Sequence, residues 1–303
     1  MQLKTNPHGY TRLIATWTAR WSRLKEILRA RFPRHWQTLR YLKRRVIGYL
    51  EKRLIRKGAT IYLGANDQDK WIVEDVYHKK RNGFFVELGA YNGFDISNTY
   101  VLEKQYGWSG ICIEADPVNF AKLVRERNCA CVRACVDDTR REVNYLYDRA
   151  RGGIIDKDTD INPEDFERHL ETAKKEGRLA TVQTKTLGEI LKEHNAPKFI
   201  DFFSLDVEGA ETRILRNFDF KEYKFGALVI ERASKELNEI LFHNGYKFVQ
   251  LRVGDSFYVH ESIPNFDAIP KEQFRQVPPK PAPLEINFSK KRMTLRMVLS
   301  ALF

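Results

Sequence analysis

Four acidic residues lie where apolar segments of the sequence end, and a carboxylate in such a position can bind a ligand or accept a proton. Glu87 lies late in FFVELGA, Glu114 ends GICIE, Asp137 follows a third apolar segment, and Asp206 lies late in FIDFFSLDV. If these segments are parallel strands, their carboxyl ends meet at the sheet edge where open α/β proteins bind ligands. The sequence therefore predicts one ligand site that contains all four carboxylates.

The turn after the first apolar segment indicates the charge of that ligand. Gly89 and Gly93 are separated by three residues, which differs from the G-x-G-x-x-G spacing of dinucleotide sites. A diphosphate prefers a helix N-terminus without a nearby carboxylate, so Glu87 would repel it and would suit a cation. Glu114 could accept hydrogen bonds from two ribose hydroxyls. These residues favour S-adenosylmethionine over a dinucleotide.

The elements that position these residues alternate between apolar strands and helical segments. This alternation implies an α/β fold with a mostly parallel sheet that is covered on both faces. A hairpin of Tyr246–Arg252 and Ser256–His260 adds an antiparallel end to the sheet. The other strands are expected at Phe84–Ala90, Gly110–Glu114, Cys131–Val136, Phe199–Val207 and Leu228–Glu231, and the helices at Asp95–Tyr106, Val118–Arg127, Pro163–Lys175, Thr186–His194, Ala210–Phe218 and Lys235–His243.

The positive charge of the chain is concentrated near its start. Residues 1–58 contain sixteen Lys and Arg but only two acidic residues, a balance that exceeds the net charge of +12 of the whole chain. Tryptophan and leucine recur there at helical spacing, as in helices at an anionic membrane surface, although packing on the main domain, nucleic-acid binding and targeting are open alternatives. We divide the chain into a basic helical extension (1–58), a main domain (59–263, with an insertion at about 139–181) and a proline-rich linker with a short basic tail (264–303).

The four cysteines lie in or beside apolar segments. Cys112, Cys129, Cys131 and Cys135 lack the paired C-x-x-C spacing of zinc sites and have no cluster of histidines near them. They are expected to be buried, reduced thiols, which favours a reducing compartment. No apolar run reaches the roughly 18 residues of a membrane-spanning helix, so we expect a cytoplasmic protein that is peripheral at the membrane surface.

Five segments combine into a specific pattern that covers roughly residues 62–261. They are DQDKWIVEDVY (67–77), GFFVELGAYNGFDISNTYVLEKQYGWSGICIEADP (83–117), TLGEILKEHNAPKFIDFFSLDVEGAETRILRNFDF (186–220), LVIE (228–231) and NGYKFV (244–249). In order and spacing this pattern resembles the FkbM family of S-adenosylmethionine-dependent methyltransferases. The resemblance implies a class I methyltransferase fold, with a Rossmann-like, seven-stranded sheet whose last strand is antiparallel, and it implies S-adenosylmethionine as the cofactor.

The resemblance also assigns expected roles to individual residues. Glu114 would hold the ribose, Asp137 and Val136 would flank the adenine, and Asp206 would lie near the reacting methyl group with Glu208 and Glu211 beside it. The methionine end of the cofactor would be lined by Glu87, Gly89, Ala90 and Gly93.

Methyl transfer to an alcohol needs alignment, exclusion of water and removal of a proton. Asp206 is the leading candidate for the base, followed by Glu208 and His260; alternatively, Asp206 anchors the amino group of the cofactor. Ser97 and Asn98 either donate to the carboxylate of the cofactor or cap their own helix. No metal is expected, because alternate residues on a strand, such as Asp206 and Glu208, point to opposite faces.

The sequence thus predicts an S-adenosylmethionine-dependent O-methyltransferase that acts on a sugar, glycan or glycolipid-like acceptor. Residues 1–57 and 289–303 would hold it near an anionic membrane surface, and nucleic acid is not an expected partner because no binding module accompanies the basic charge. The alternatives are an oxidoreductase with a nucleotide cofactor and a non-catalytic, membrane-associated binding protein on the same fold.

Overall fold

A computed structural model of the chain describes residues 48–148, 152–156, 171 and 173–277. Packing divides the chain into two units, one of which is Tyr62–Pro283, and all the predicted site residues belong to it. In the other unit the described residues are helical at 48–56. Most of the predicted amphipathic extension, the basic tail and most of the helical pattern at 163–175 lie outside the described residues. No helix among the described residues is long and apolar enough to span a membrane.

The main sheet has seven strands, which in chain order are β1 (Phe84–Leu88), β2 (Ser109–Ile113), β3 (Ala130–Val132), β8 (Phe199–Leu205), β9 (Lys224–Glu231), β10 (Tyr246–Arg252) and β11 (Asp255–His260). Their order in the sheet is β3-β2-β1-β8-β9-β11-β10, and only β11 is antiparallel to its neighbours. This arrangement confirms the predicted α/β fold, in which a mostly parallel sheet carries an antiparallel last strand. The chain order reverses direction between β1 and β8, so the ligand crevice is expected at the carboxyl ends of these two strands.

Three of the helices in the described main unit begin at a residue whose side chain accepts from the first backbone N–H groups. Asp116 accepts from the amides of Val118 and Asn119 at the start of the helix Pro117–Glu126, and Thr186 and Glu189 form a reciprocal capping box at the start of the helix Leu187–Glu193. The helices are α1 (Gln68–Lys70, continued by the π-helical Trp71–Val76), α2 (Tyr100–Tyr106), α3 (Pro117–Glu126), α4 (Leu187–Glu193), α5 (Glu211–Arg216) and α6 (Lys235–His243).

The insertion contributes a second, four-stranded sheet in the order β4-β7-β5-β6. Its strands are β4 (Cys135–Val136), β5 (Glu142–Leu146), β6 (Gly153–Ile154) and β7 (Leu179–Lys185). The predicted third strand, Cys131–Val136, is therefore wrong as a single element, since its first half pairs with β2 and its second half pairs with β7. The segment is divided because its second half pairs with β7, a strand at the far end of the insertion, and such long-range pairing cannot be predicted from local hydrophobicity.

Two further boundaries differ from the sequence expectations. Helix α2 begins at Tyr100 rather than Asp95, because residues 96–99 turn back toward β1 with Ile96 at a positive φ of 57°. Residues 264–277, assigned above to a linker, pack on the main unit. Ile269 is buried there, and the amide of Glu272 donates to the carbonyl of Val249.

Candidate active site

A cleft of about 830 Å³, counted with its open mouth, lies at the carboxyl ends of β1, β2 and β8. The loops after these strands form one wall, and residues of the second sheet form another. Eight of the eleven predicted site residues line it: Glu87, Gly89, Ala90, Ser97, Asn98, Glu114, Asp206 and Glu208.

The turn after β1 is fixed by the strands on both sides of it. The amides of Gly89 and Ala90 donate to the carbonyl of Ile113 in β2, and the amide of Asp206 donates to the carbonyl of Leu88. Gly89 has a φ of 87°, and a Cβ there would overlap the carbonyl oxygen of Asp206. Only glycine fits, so the close approach of two strand-end loops explains this position.

Glu87 is held by the protein itself. Its carboxylate accepts from Arg127 Nη1 at 3.1 Å, from Thr99 Oγ1 at 2.6 Å, from the Asn98 amide at 2.7 Å and from Ser97 Oγ. The charge that was expected to attract a cationic ligand is thus opposed by Arg127 within the protein. The carboxylate borders the cleft and organises the start of α2, and a direct contact with the cofactor stays a prediction.

Ser97 and Asn98 have different surroundings. Ser97 Oγ accepts from the amide of Tyr100, the first residue of α2, at 3.1 Å, and a contact of Ser97 with the cofactor stays a prediction. Asn98 Nδ2 donates to Ser204 Oγ at 2.8 Å, whereas Asn98 Oδ1, which is buried, has no hydrogen-bond partner among the described residues. A buried acceptor without a partner costs about 1–3 kcal/mol, a cost that a ligand donor in the cleft would remove.

Glu114 follows the end of β2 and is buried at the cleft wall. Its Oε1 accepts from the Asp116 amide at 2.7 Å. Burial raises the pKa of the Glu114 carboxyl to about 7, against the opposing effect of that hydrogen bond. A ligand that donates hydrogen bonds to this carboxylate, as a pair of ribose hydroxyls does, would restore its charged form.

Three carboxylates converge at the ends of β8 and β9. One oxygen of each of Asp206, Glu208 and Glu231 lies within 4.8 Å of the others. Burial, followed by the charges of Glu231 and Glu208, raises the pKa of Asp206 well above its usual value. Neighbouring carboxylates cannot all be ionised cheaply, so the cluster retains a proton at a pH where isolated carboxylates have lost theirs.

The reason given above for expecting no metal does not apply to this cluster. Asp206 and Glu208 lie beyond Leu205, the last residue of β8, and Glu208 has a φ of 62°. The alternation of a strand therefore does not separate their side chains. The three oxygens are close enough to contact one cation, and a shared proton relieves the same repulsion.

Glu211 fixes the loop that carries two of these carboxylates. Its side chain is buried and accepts from the amides of Val207 and Gly209 at 2.9 and 3.0 Å. Through these two bonds Glu211 fixes the backbone of the loop and thereby the positions of Asp206 and Glu208.

Three predicted site residues do not line the cleft, namely Gly93, Asp137 and His260. Gly93 packs under α3, where a Cβ would meet Leu123. Asp137 is buried in ion pairs with Arg213 at 2.6 Å and Arg141 at 2.9 Å, so it stabilises the junction with the second sheet rather than flanking an adenine. Val136 does line the cleft.

His260 is wrong as a catalytic candidate. It ends the antiparallel strand β11, whose first residue, Asp255, pairs with Glu231 near the cleft. Five residues along a strand place His260 about 17 Å from that end. Its Nδ1 is bonded to Ser262, and its pKa is lowered by burial. The antiparallel last strand expected from the sequence already implied that its final residue lies at the opposite edge of the sheet, and the choice of His260 overlooked this.

Sequence reasoning missed several residues of the site. Tyr145 and Ile154 of the second sheet and Tyr91 of the first turn line the cleft. Arg127 holds Glu87 from the end of α3. A tyrosine that alternates with valine in a strand has no chemical signature. An arginine at the end of an amphipathic helix that follows the strand next to Glu87 is a detectable signal.

Comparison with known proteins gives one family match. The model of the methyltransferase FkbM domain matches residues 87–248, more than half of the chain. Among curated protein sequences none matches at a significant level.

Several solved structures are similar at low sequence identity. A methyltransferase FkbM from Methylobacillus flagellatus is 16% identical, with 60% of this chain and 44% of that chain covered and a TM-score of 0.36. A precorrin-6y C5,15-methyltransferase from Geobacter metallireducens is 10% identical, with 63% and 84% covered and a TM-score of 0.35. An RNA methyltransferase from Salinibacter ruber, in complex with S-adenosyl-L-homocysteine, is 14% identical, with 65% and 92% covered and a TM-score of 0.33. These scores are low, and the strand order carries the fold assignment.

Proposed function

Because the chain belongs to the FkbM methyltransferase domain family, we propose that it transfers a methyl group from S-adenosylmethionine to a hydroxyl oxygen of a sugar or glycan acceptor. The proposal of an oxygen acceptor rests on one observation, the cluster of Asp206, Glu208 and Glu231 at the edge of the cofactor cleft. Such a cluster can take the proton that an alcohol must lose.

The residues of the cleft fit the cofactor. Glu114 offers a buried carboxylate to the two ribose hydroxyls, and Asn98 Oδ1 offers an acceptor without a partner among the described residues to the ammonium group. The cofactor supplies a methyl group on a sulfonium, which is already activated for displacement. A nicotinamide dinucleotide is not favoured, because its diphosphate would meet Asp95, Glu114 and Asp206 in the same cleft.

The carboxylate cluster then acts on the acceptor. A raised pKa makes a carboxylate a better proton acceptor near neutral pH than an ordinary one, provided that one member of the cluster is ionised. Asp206 lines the cleft and is held by its backbone bond to Leu88, so it is the residue best placed to remove the hydroxyl proton. The carboxylates of Glu208 and Glu231 lie beside it.

The same cluster restricts the acceptor. Three carboxylates disfavour an anionic group such as a phosphate and suit a compound with several hydroxyl donors. Tyr145, Ile154 and Ile96 supply apolar surface around the cleft, which suits the faces of a sugar ring. A neutral glycan meets both conditions.

Two experiments test the proposed function. Isothermal titration should show binding of S-adenosylmethionine and none of NAD(H); binding of NAD(H) alone would refute the proposal. Tritiated cofactor should then label a carbohydrate-containing fraction of a cell extract in preference to RNA and protein fractions. Cofactor binding without labelling of any fraction would favour the non-catalytic alternative.

The affinity for S-adenosylmethionine should depend on pH through Glu114. Because the pKa of Glu114 is raised to about 7 and the ligand requires the charged form, the dissociation constant should increase as pH falls below 7, by up to about tenfold per unit. Glu114→Gln should bind more weakly at pH 8 by about 1.5–3 kcal/mol, and this part of the pH dependence should disappear.

Titration of the cofactor itself is the same for both proteins, so the difference between their profiles isolates Glu114. Equal affinity of the two proteins at pH 8 would exclude Glu114 as a ribose ligand.

We further propose that residues 1–57 and 289–303 bind an anionic membrane surface, on the strength of their basic and apolar composition. The full chain should sediment with vesicles that contain phosphatidylserine and should remain free with neutral vesicles. Binding should be lost at about 1 M salt, where the Debye length is about 3 Å. A chain without residues 1–57 is expected to lose vesicle binding and to keep its affinity for the cofactor.

A further inference from the structure

Behind the cleft, on the side of the sheet covered by α3, three cysteines lie beside the buried pair of Glu87 and Arg127. Cys112, in β2, is fully buried, and Cys129, which precedes β3, is half-buried. Their sulfurs are 3.6 Å apart, joined by a thiol hydrogen bond. Cys112 Sγ also lies 3.7 Å from Glu87 Oε2. None of the three cysteines has a part in the proposed methyl transfer.

From this geometry we infer that Cys112 and Cys129 form a thiol pair that hydrogen peroxide converts into a disulfide, and that the disulfide weakens cofactor binding. The effect on binding rests on the proposed function, whereas formation of the disulfide does not. Cys129 is the attacking thiol, because it is the member of the pair that solvent reaches. Cys112 is the resolving thiol.

The pKa shifts of the two thiols assign the attacking and resolving roles in the same way. Hydrogen bonds with the thiols of Cys112 and Cys131, followed by the charge of Arg127, hold the pKa of Cys129 below its usual value, although burial and Glu103 oppose this. Burial raises the pKa of Cys112 well above its usual value. The thiolate is the nucleophile in thiol oxidation, so Cys129 should react first.

The reaction is balanced with peroxide as the only oxidant. The Cys129 thiolate attacks one peroxide oxygen, an S–O bond forms, the O–O bond breaks, and hydroxide leaves and takes up a proton. The sulfur of Cys112 then attacks the sulfenic sulfur of Cys129, the S–S bond forms, and the hydroxyl group leaves with the thiol proton of Cys112 as water. Two thiols are oxidised, and peroxide is reduced to two molecules of water.

The disulfide would disturb the cleft from behind. A disulfide has a sulfur separation of about 2.05 Å, so the two sulfurs must approach by about 1.5 Å from their present 3.6 Å. Cys112 would lose its S–H and, with it, the hydrogen bond to Glu87. Movement of Cys112 would also reach Glu114, which lies only two residues further along the chain. Displacement of Glu114 would lower the affinity for the cofactor.

The test begins with a map of the disulfide in the full chain. After treatment with peroxide and alkylation, non-reducing peptide mapping should link Cys112 to the tryptic peptide NCACVR (128–133), which contains both Cys129 and Cys131. The variant Cys131→Ser should retain the link and Cys129→Ser should abolish it. Absence of the link, or a link that persists in Cys129→Ser, would overturn the inference.

The second part of the test is cofactor binding before and after oxidation. The dissociation constant of S-adenosylmethionine should increase about tenfold in the oxidised chain and return with a dithiol reductant, since one charge-assisted contact is weakened. Cys131→Ser should respond like the parent chain, and Cys129→Ser should not respond. A complete link with unchanged affinity would overturn the effect on the cleft. Failure of the reduced chain to bind the cofactor would refute the proposed function, and the peptide map would still decide the thiol pair.

Discussion

Asp206→Asn should lower the turnover number by at least about 100-fold and change the dissociation constant of S-adenosylmethionine by less than about threefold, as expected for loss of a general base. The amide has nearly the same shape as the carboxyl group but cannot accept a proton from the acceptor hydroxyl. Single-turnover methyl transfer and isothermal titration measure the two quantities separately. Asp267→Asn, an exposed position outside the cleft, is the matched control and should behave like the parent chain.

The pH profile distinguishes a base from an anchor. Because the pKa of Asp206 is raised by burial and by Glu231 and Glu208, turnover in the parent chain should increase with pH until the cluster has lost its shared proton. Asp206→Asn should flatten this increase. If turnover and affinity instead decrease in proportion, Asp206 anchors the cofactor, as the alternative in the sequence analysis held.

Arg127→Met should lower the free energy of unfolding by about 3–5 kcal/mol, the cost typical of breaking a buried ion pair. The guanidinium is buried and contacts Glu87 at 3.1 Å and Glu103 at 2.6 Å. Methionine keeps much of the side-chain volume but leaves both carboxylates without their arginine. Urea denaturation measures the effect, and the affinity for the cofactor should decrease with it because Glu87 organises the cleft wall.

Arg216→Met is the control for this prediction. Arg216 pairs with Glu236 at 2.7 Å, but both side chains are exposed by a third or more, so its loss should cost at most about 1 kcal/mol. Arg127→Lys retains the charge and loses the forked hydrogen bonds, so it should be intermediate in stability. Equal effects at the two arginines would show that the buried cluster does not stabilise the fold.

The dependence of the free energy of unfolding on pH in the acid range tests the ion pairs of Arg127 independently. Burial alone would raise the pKa of Glu103, but Arg127 and Lys104 lower it to about 2. Its folded pKa is depressed, so its contribution is present above its ordinary pKa of 4.5 and is lost as pH falls toward 2. The difference in stability between the parent chain and Arg127→Met should therefore shrink over this range.

The sequence alone established the scaffold and most of the cleft. Alternating apolar strands and helices predicted the parallel sheet, because side-chain periodicity is a local property of each element. The positions of Glu87, Glu114 and Asp206 at strand ends predicted that they would meet, since parallel strands direct their carboxyl ends to one edge. Gly89 was predicted as the residue of a tight turn, and the structure gives the reason, which is the carbonyl of Asp206.

Tertiary structure alone decided how each carboxylate is used. Glu87 and Asp137 are both acidic residues near strand ends, yet one is held by Arg127 and the other by Arg213 and Arg141. Glu231 joins Asp206 and Glu208 although it lies about two dozen residues further along the chain. The ionic partner of a carboxylate depends on distance in space, which the order of residues along one chain does not specify.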